Sequence, residues 1–255
     1  MAFTVIIPAR LKSSRLPDKP LADICGEPMV VRTARRAALS GADRTIVAVD
    51  DRAVLDVVEA AGFEAVLTRA DHPTGTDRLS EVVERLGLAD DEIVVNLQGD
   101  EPVMPPYVLE QVAAVLEEHP ESQMATAAHP ITDIESFMNP NVVKVVLDAE
   151  GHALTFSRAP VPWPRDAFRE DKTKLPENLG ALHHIGLYAY RAGFLRRFPT
   201  LEQAPLEKTE SLEQLRALYY GDRISVMVLD EALPAGVDTA EDLERVRHYY
   251  EDQKG

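Results

Sequence analysis

Between residues 4 and 97, short β-branched runs alternate three times with amphipathic helical stripes. That alternation confines the chain to parallel βαβ units with right-handed crossovers. Thr4 to Ile7, Thr45 to Val49, Phe63 to Leu67 and Glu92 to Leu97 read as buried strands. The first intervening helix starts near Pro28, in the favoured first-turn place, and runs to about Ser40, with Gly41 as its stop. Val54, Leu55, Val57, Val58 and Ala61 form a second stripe closed by Gly62, and Leu79, Val82, Val83 and Leu86 a third closed by Gly87.

After Pro105 a helix carries Val108, Val112, Val115 and Leu116, and Met124 to Ala128 returns as a strand. The middle then changes character. Val142 to Leu147 and Ala153 to Ser157 read as a hairpin-like pair turning near Glu150 and Gly151. Pro160 to Pro176 is expected to be a long loop of lid-like character. His183 to Tyr190, two helices and the strand Ile224 to Leu229 follow, and a last helix starts at about Thr239 with Asp242 placed to close a capping box. The expected fold is α/β: a mostly parallel sheet between helices in one domain over residues 1–255, with a smaller mixed extension at about 130–220.

The acidic balance, 43 Asp and Glu against 27 Lys and Arg, argues against nucleic acid or an anionic membrane as partner. No apolar run approaches the roughly 18 residues needed to span a bilayer. The amino terminus lacks the basic start and long apolar stretch of a signal peptide, so a cytoplasmic protein is expected. Cys25, the lone cysteine, fits a reducing compartment and reads as a small apolar group.

Against a net charge of -16, the loop after the first strand gathers Arg10, Lys12, Arg15 and Lys19 beside a single acid, Asp18. Ligands of open α/β sheets bind beyond the carboxyl ends of strands, where such a loop can aim cations and backbone N–H groups at phosphate oxygens. A solvated basic loop is the plainer alternative. Pro17 and Pro20 stiffen the chain around Lys19 and so reduce the entropy lost on clamping a ligand. The loop has no GxxxxGK[ST] and is not a Walker P-loop.

QGDEP, Gln98 to Pro102, leaves a buried strand on the same rim, and Asp100 there is a candidate magnesium ligand or a turn acid capping the next helix. Asp238, before the last helix, reads equally as ligand or N-cap. HPTGTDR places Thr74 and Gly75 before a helix N-terminus, suited to polar ligands or to an ordinary helix start, and His72 is read as surface. Glu210, Glu213 and Gln214 are expected on one face of one helix, a set that also fits plain solvation. Alternation along a strand sends His184, Gly186 and Tyr188 to one side.

These stretches together resemble the cytidylyltransferases that activate 3-deoxy-D-manno-octulosonate (Kdo), a sugar acid of bacterial lipopolysaccharide. IIPARLKSSRLPDKPL is similar to their signature loop, with Asp18 where they usually carry Gly. NLQGDEP, NPNVVKVV at Asn139 to Val146, FSRA, HHIGLYAYRAGF, TESLEQLR and GVDT follow in the same order. The resemblance implies a Rossmann-like nucleotidyltransferase (nucleotide-diphospho-sugar transferase) sheet. It implies that Arg10 and Lys19 hold the CTP triphosphate, with Ala9 and Arg15 in the same loop, and that Thr74, Gly75 and Arg78 meet the cytidine. Gln98 would lie near both nucleotide and sugar acid. Asp100 and Asp238 would hold Mg²⁺, Arg158 the sugar carboxylate, and His184, Tyr188, Glu213 and Gln214 the rest of the sugar. Arg10, Lys19, Asp100 and Asp238 would be the catalytic set, in a homodimer built through the middle region. Sialic acid or 8-amino-Kdo as substrate, and a non-catalytic nucleotide-binding protein, are the alternatives.

Overall fold

A computed structural model describes residues 1–12 and 16–253. Arg15 lies outside the described residues. The chain divides into two compact units.

The first unit comprises Met1–Ala114, Ala189–Thr200 and Leu233–Gly255. It begins with β1 (Phe3–Ala9), a small hairpin of β2 (Asp23–Ile24) and β3 (Glu27–Pro28), and α1 (Met29–Ala38). There follow β4 (Arg44–Val49), α2 (Arg52–Ala60), β5 (Glu64–Leu67), α3 (Gly75–Leu86), β6 (Ile93–Asn96) and α4 (Pro106–Glu118), which runs on into the second unit. All seven residues of β1 are buried, as the unbroken apolar run demands of a strand covered on both faces. β1 lies between β4 and β6, parallel to both, with β5 parallel outside β4, in the order β6-β1-β4-β5. The chain thus winds outward from β1 through β4 to β5 and returns to the other side of β1 at β6. This reversal opens a crevice at the carboxyl ends of β1 and β6.

The expected stops hold: Gly41, Gly62 and Gly87 all have positive φ. Pro28 caps α1 from just outside, and the helix ends at Ala38, slightly short of the expected Ser40. The β2–β3 hairpin was not foreseen; its two turn residues, Cys25 at φ 52 and Gly26 at φ 87, have the paired positive φ of a tight hairpin turn.

The second unit comprises Val115–Tyr188 and Leu201–Ala232. It holds β7 (Ser122–Pro130), α5 (Ile134–Met138), β8 (Lys144–Leu147), β9 (Ala153–Ser157), α6 (Arg165–Glu170) and most of β10 (Leu182–Arg191). After α7 (Ala192–Arg197), which belongs to the first unit, come α8 (Pro205–Glu210), α9 (Leu215–Tyr219) and β11 (Arg223–Val228). β11 runs parallel to β7, whereas β8 pairs antiparallel with both β9 and β10, so the expected mixed character is present. The β8–β9 turn carries Gly151 at φ 84, where it was expected. The last helix, α10 (Ala240–Asp252), returns to the first unit.

Three α-helices, α7, α8 and α9, lie between β10 and β11 where two were expected. Pro160 to Pro176 is not a bare loop: it contains α6, whose Phe168 is 2% exposed and packs with Ile131, Phe137 and Ala181. Glu210, Glu213 and Gln214 do not share a helix. α8 ends after Glu210 because Ser211 turns left-handed at φ 53, and Gln214 caps the separate α9. Among the described residues no helix is long and apolar enough to cross a membrane.

Candidate active site

The loop after β1 is tied down from below by Asp50, at the end of β4. Asp50 accepts from the Leu11 N–H at 2.9 Å and lies 3.4 Å from Nη2 of Arg78, a fully buried guanidinium. Burial lowers the Arg78 pKa, and Asp50 offsets part of that effect. The sequence marks Asp50 only as an acid at the end of a strand. Arg10 donates to the His72 carbonyl at 3.0 Å. His72, expected on the surface, instead has a 9% exposed side chain turned inward against Glu81 of α3. Its pairing with that carboxylate is the physical reason.

Asp18 adopts φ 50, ψ 32, the left-handed conformation that asparagine and aspartate tolerate better than most side chains. An aspartate therefore serves at a position where the resemblance expected Gly. The chain then enters a 3-10 turn, Lys19–Leu21, that sends Lys19 toward the carboxylates. Lys19 Nζ stands 2.5 Å from Asp100 Oδ2 and 3.1 Å from Asp238 Oδ1. Burial works against its charge, but Asp100 and then Asp238 more than offset it and raise the Lys19 pKa.

Two glycines set this convergence. A Cβ on Gly99 would lie 3.0 Å from the Pro8 carbonyl, so only glycine lets QGDEP pass so close to the end of β1. Gly236 makes the same allowance between the GVD and QGDEP loops, which are joined by a 2.8 Å bond from Val237 N–H to the Asp100 carbonyl. The ambiguity at Asp238 is resolved locally. Thr239 is the N-cap of α10 in a complete capping box with Asp242, leaving the Asp238 carboxylate to face Lys19. Glu101, which the sequence did not single out, is pushed up to about 8 by burial and then by the Asp100 charge. Its Oε2 is buried with no hydrogen-bond partner among the described residues.

A cavity of about 350 Å³ opens at this crevice. Of the nucleotide-side candidates, Ala9, Arg10, Lys19, Gly75 and Gln98 line it, together with Asp100 and Asp238. Thr74 and Arg78 stand behind it, the first capping α3 through Asp77 and the second buried against Thr68 and Asp50. The size suits a small polar ligand.

The second unit gathers the other candidates in separate groups. Arg158 is clasped by α8: its Nε donates to the Glu210 carbonyl at 2.6 Å, its backbone N–H to the Glu210 carboxylate at 2.9 Å, and its Nη1 to the Pro140 carbonyl at 3.0 Å. Lys144, fully buried within the VVKVV run, donates to the carbonyls of Asn139, Val142 and Arg158, pinning the start of β8 to the end of β9. His184 and Tyr188 do share one side of β10, their rings 5.5 Å apart. His184 lies 3.0 Å from the Thr126 hydroxyl, and burial, then the charge of His183, pushes its pKa down to about 3. Its imidazole is therefore neutral at physiological pH. Gln214 is 5% exposed, and its Nε2 has no hydrogen-bond partner among the described residues. Glu213 precedes it in the turn between α8 and α9.

The basic loop and the carboxylate pair meet at the switch point of a parallel sheet, and this fold and the comparisons with known proteins together make the protein an α/β nucleotidyltransferase. The cytidylyltransferase family matches residues 4–224, and the chain belongs to that family. A solved structure described as CMP:2-keto-3-deoxy-manno-octonic acid synthetase complexed with CTP is 40% identical, with a TM-score of 0.88 over 99% of each chain.

Proposed function

We propose that this cytidylyltransferase converts CTP and Kdo to CMP-Kdo and pyrophosphate. The observation that carries the reading is the convergence of Asp100 and Asp238 on the Lys19 ammonium beside the basic loop. The 40% identity over 99% of a synthetase bound to CTP supports the choice of both substrates.

The chemical problem is the attack of one anion on another. The sugar's anomeric oxygen forms a bond to the α-phosphorus as the bond to the β-phosphate bridging oxygen breaks, and the hydroxyl proton passes to solvent. Two carboxylates already holding one cation between them are a hard-oxygen donor set that fits a divalent metal, Mg²⁺, on Asp100 and Asp238. When bound, such a metal supplies charge neutralisation at the phosphates and a more acidic sugar hydroxyl. Arg10 and Lys19, with Arg15 from the same loop, bind the triphosphate and stabilise charge on departing pyrophosphate. Ala9, Thr74 and Gly75 position the nucleotide, Arg78 acting through the loop that it supports, and Gln98 meets both substrates.

Recognition of the sugar acid falls to residues between about 130 and 220. Arg158 offers its guanidinium to the carboxylate. His184, neutral, and Tyr188, Glu213 and Gln214 take the hydroxyls. The protein works in the cytoplasm as a homodimer. The decisive assay is magnesium-dependent pyrophosphate release from CTP with Kdo, 8-amino-Kdo, sialic acid or no sugar. Release that requires Kdo and yields CMP-Kdo is the expected result. Release with another sugar acid alone moves the substrate, and none with any sugar from protein that binds CTP overturns the reaction.

A further inference from the structure

Within the second unit, His119, Glu121 and His152 meet at the junction between α4, β7 and the β8–β9 turn. His119 Nδ1 and His152 Nε2 each lie 2.9 Å from the same oxygen, Glu121 Oε1. One ligand atom from each residue lies within 4.8 Å of the other two. Zinc bonds of about 2.0–2.1 Å in tetrahedral array separate ligand atoms by roughly 3.3 Å. The three side chains thus need shifts of only a few tenths of an ångström to one ångström or so to surround an ion.

The other face of His152 carries the second observation. Its side chain is 4% exposed, and its Nδ1 is buried with no hydrogen-bond partner among the described residues, 3.5 Å from Asp148 Oδ2 and 3.8 Å from Glu150 Oε2. A histidine whose one nitrogen faces a site while acids back the other has the arrangement that orients imidazoles on metals. The position is held by the backbone as well: the His152 N–H donates to Asp148 Oδ1 at 2.9 Å, and residue 152 bridges to Ser225 of β11. His119 and Glu121 are 34% and 40% exposed, so an ion and its remaining water ligands have access.

We propose that His119, Glu121 and His152 form a binding site for an imidazole-preferring divalent transition metal, of which Zn²⁺ is the type, with Asp148 orienting His152. Two imidazoles and one carboxylate discriminate against Mg²⁺, which takes hard oxygen ligands, so this site is chemically distinct from the Asp100 and Asp238 pair. Occupancy clamps the β8–β9 turn to the segment joining α4 and β7. His152 is brought to Glu121 across 31 positions of sequence by the fold, so the complete site exists only in the folded chain and the ion binds it in preference to the unfolded one.

The test is equilibrium dialysis of Zn²⁺ against the full chain carrying Asp100→Asn and Asp238→Asn, which removes the competing carboxylate pair. About one Zn²⁺ per chain is expected. Adding His119→Ala or Glu121→Gln, both at exposed positions that leave the fold intact, weakens binding by at least about tenfold. In parallel, Co²⁺ should give visible absorption bands that His119→Ala abolishes, and Zn²⁺ should raise the melting temperature of the unsubstituted site only. Absence of Zn²⁺ binding in the parent protein, or affinity unchanged by both substitutions, overturns the proposal.

Discussion

Gly236 lies so close to Glu101 that a Cβ on it would stand 2.7 Å from Glu101 Oε1 and 3.0 Å from the Asp100 carbonyl. The carboxyl end of Glu101 can swing aside, but the carbonyl is backbone and holds the loop that carries Asp100. Gly236→Ala is therefore expected to destabilise by about 1–3 kcal/mol and to lower turnover by separating the two loops. Urea unfolding and pyrophosphate release measure the two effects. Wild-type values in both would mean that the loops tolerate separation.

Lys19 makes the cluster of Asp100, Asp238 and Glu101 electrostatically tolerable. Asp100→Asn removes one arm of the pair while leaving a side chain of the same shape. Turnover should fall at least about a hundredfold, with the circular dichroism spectrum unchanged. Chelation of divalent metal in the wild type should silence it likewise. Near-normal turnover in the variant would sink the assignment of Asp100.

Arg158 carries a double duty that its substitution should expose. Its Nε and Nη1 already serve the carbonyls of Glu210 and Pro140. Arg158→Ala should raise the KM for Kdo by about tenfold or more, the scale of a hydrogen bond to a charged group, while CTP affinity measured by calorimetry stays put. Arg158→Lys restores the charge but not the planar fork and should recover little. An unchanged KM for Kdo would place the carboxylate elsewhere.

His184 predicts a pH signature of stability. Its folded pKa, about 3, lies below the ordinary histidine value of 6.5, so the unfolded chain binds the extra proton first as pH falls. Its contribution is complete above pH 6.5 and is lost progressively toward pH 3. His183, lowered to about 4 by burial and then by His129, acts in the same direction between pH 6.5 and about 4. Chemical denaturation between pH 7 and 4 should show a shallower loss for His184→Gln than for wild type; equal slopes would show that the imidazole titrates freely in the fold.

Local chemistry alone determined much of this protein. The three βαβ repeats, the glycine stops at Gly41, Gly62 and Gly87, the turn at Gly151 and the Thr239–Asp242 box were legible because periodicity and capping act within a few residues. The motif loops were also visible in order, and with them the family. What stayed hidden depended on contacts remote in sequence. Ser211 ends α8 although the charges around it keep helical spacing. Phe168 converts a proline-rich stretch into part of a core because Phe137 and Ile131 stand beside it. Lys19 meets Asp100 across 81 positions and Asp238 across 219, and no window of sequence holds such a pair. The sequence settles the periodic strands and helices of the first unit and which side chains are on offer. Only the packing of β1 between β4 and β6, with glycines where the loops nearly touch, decides which of those side chains share a charge.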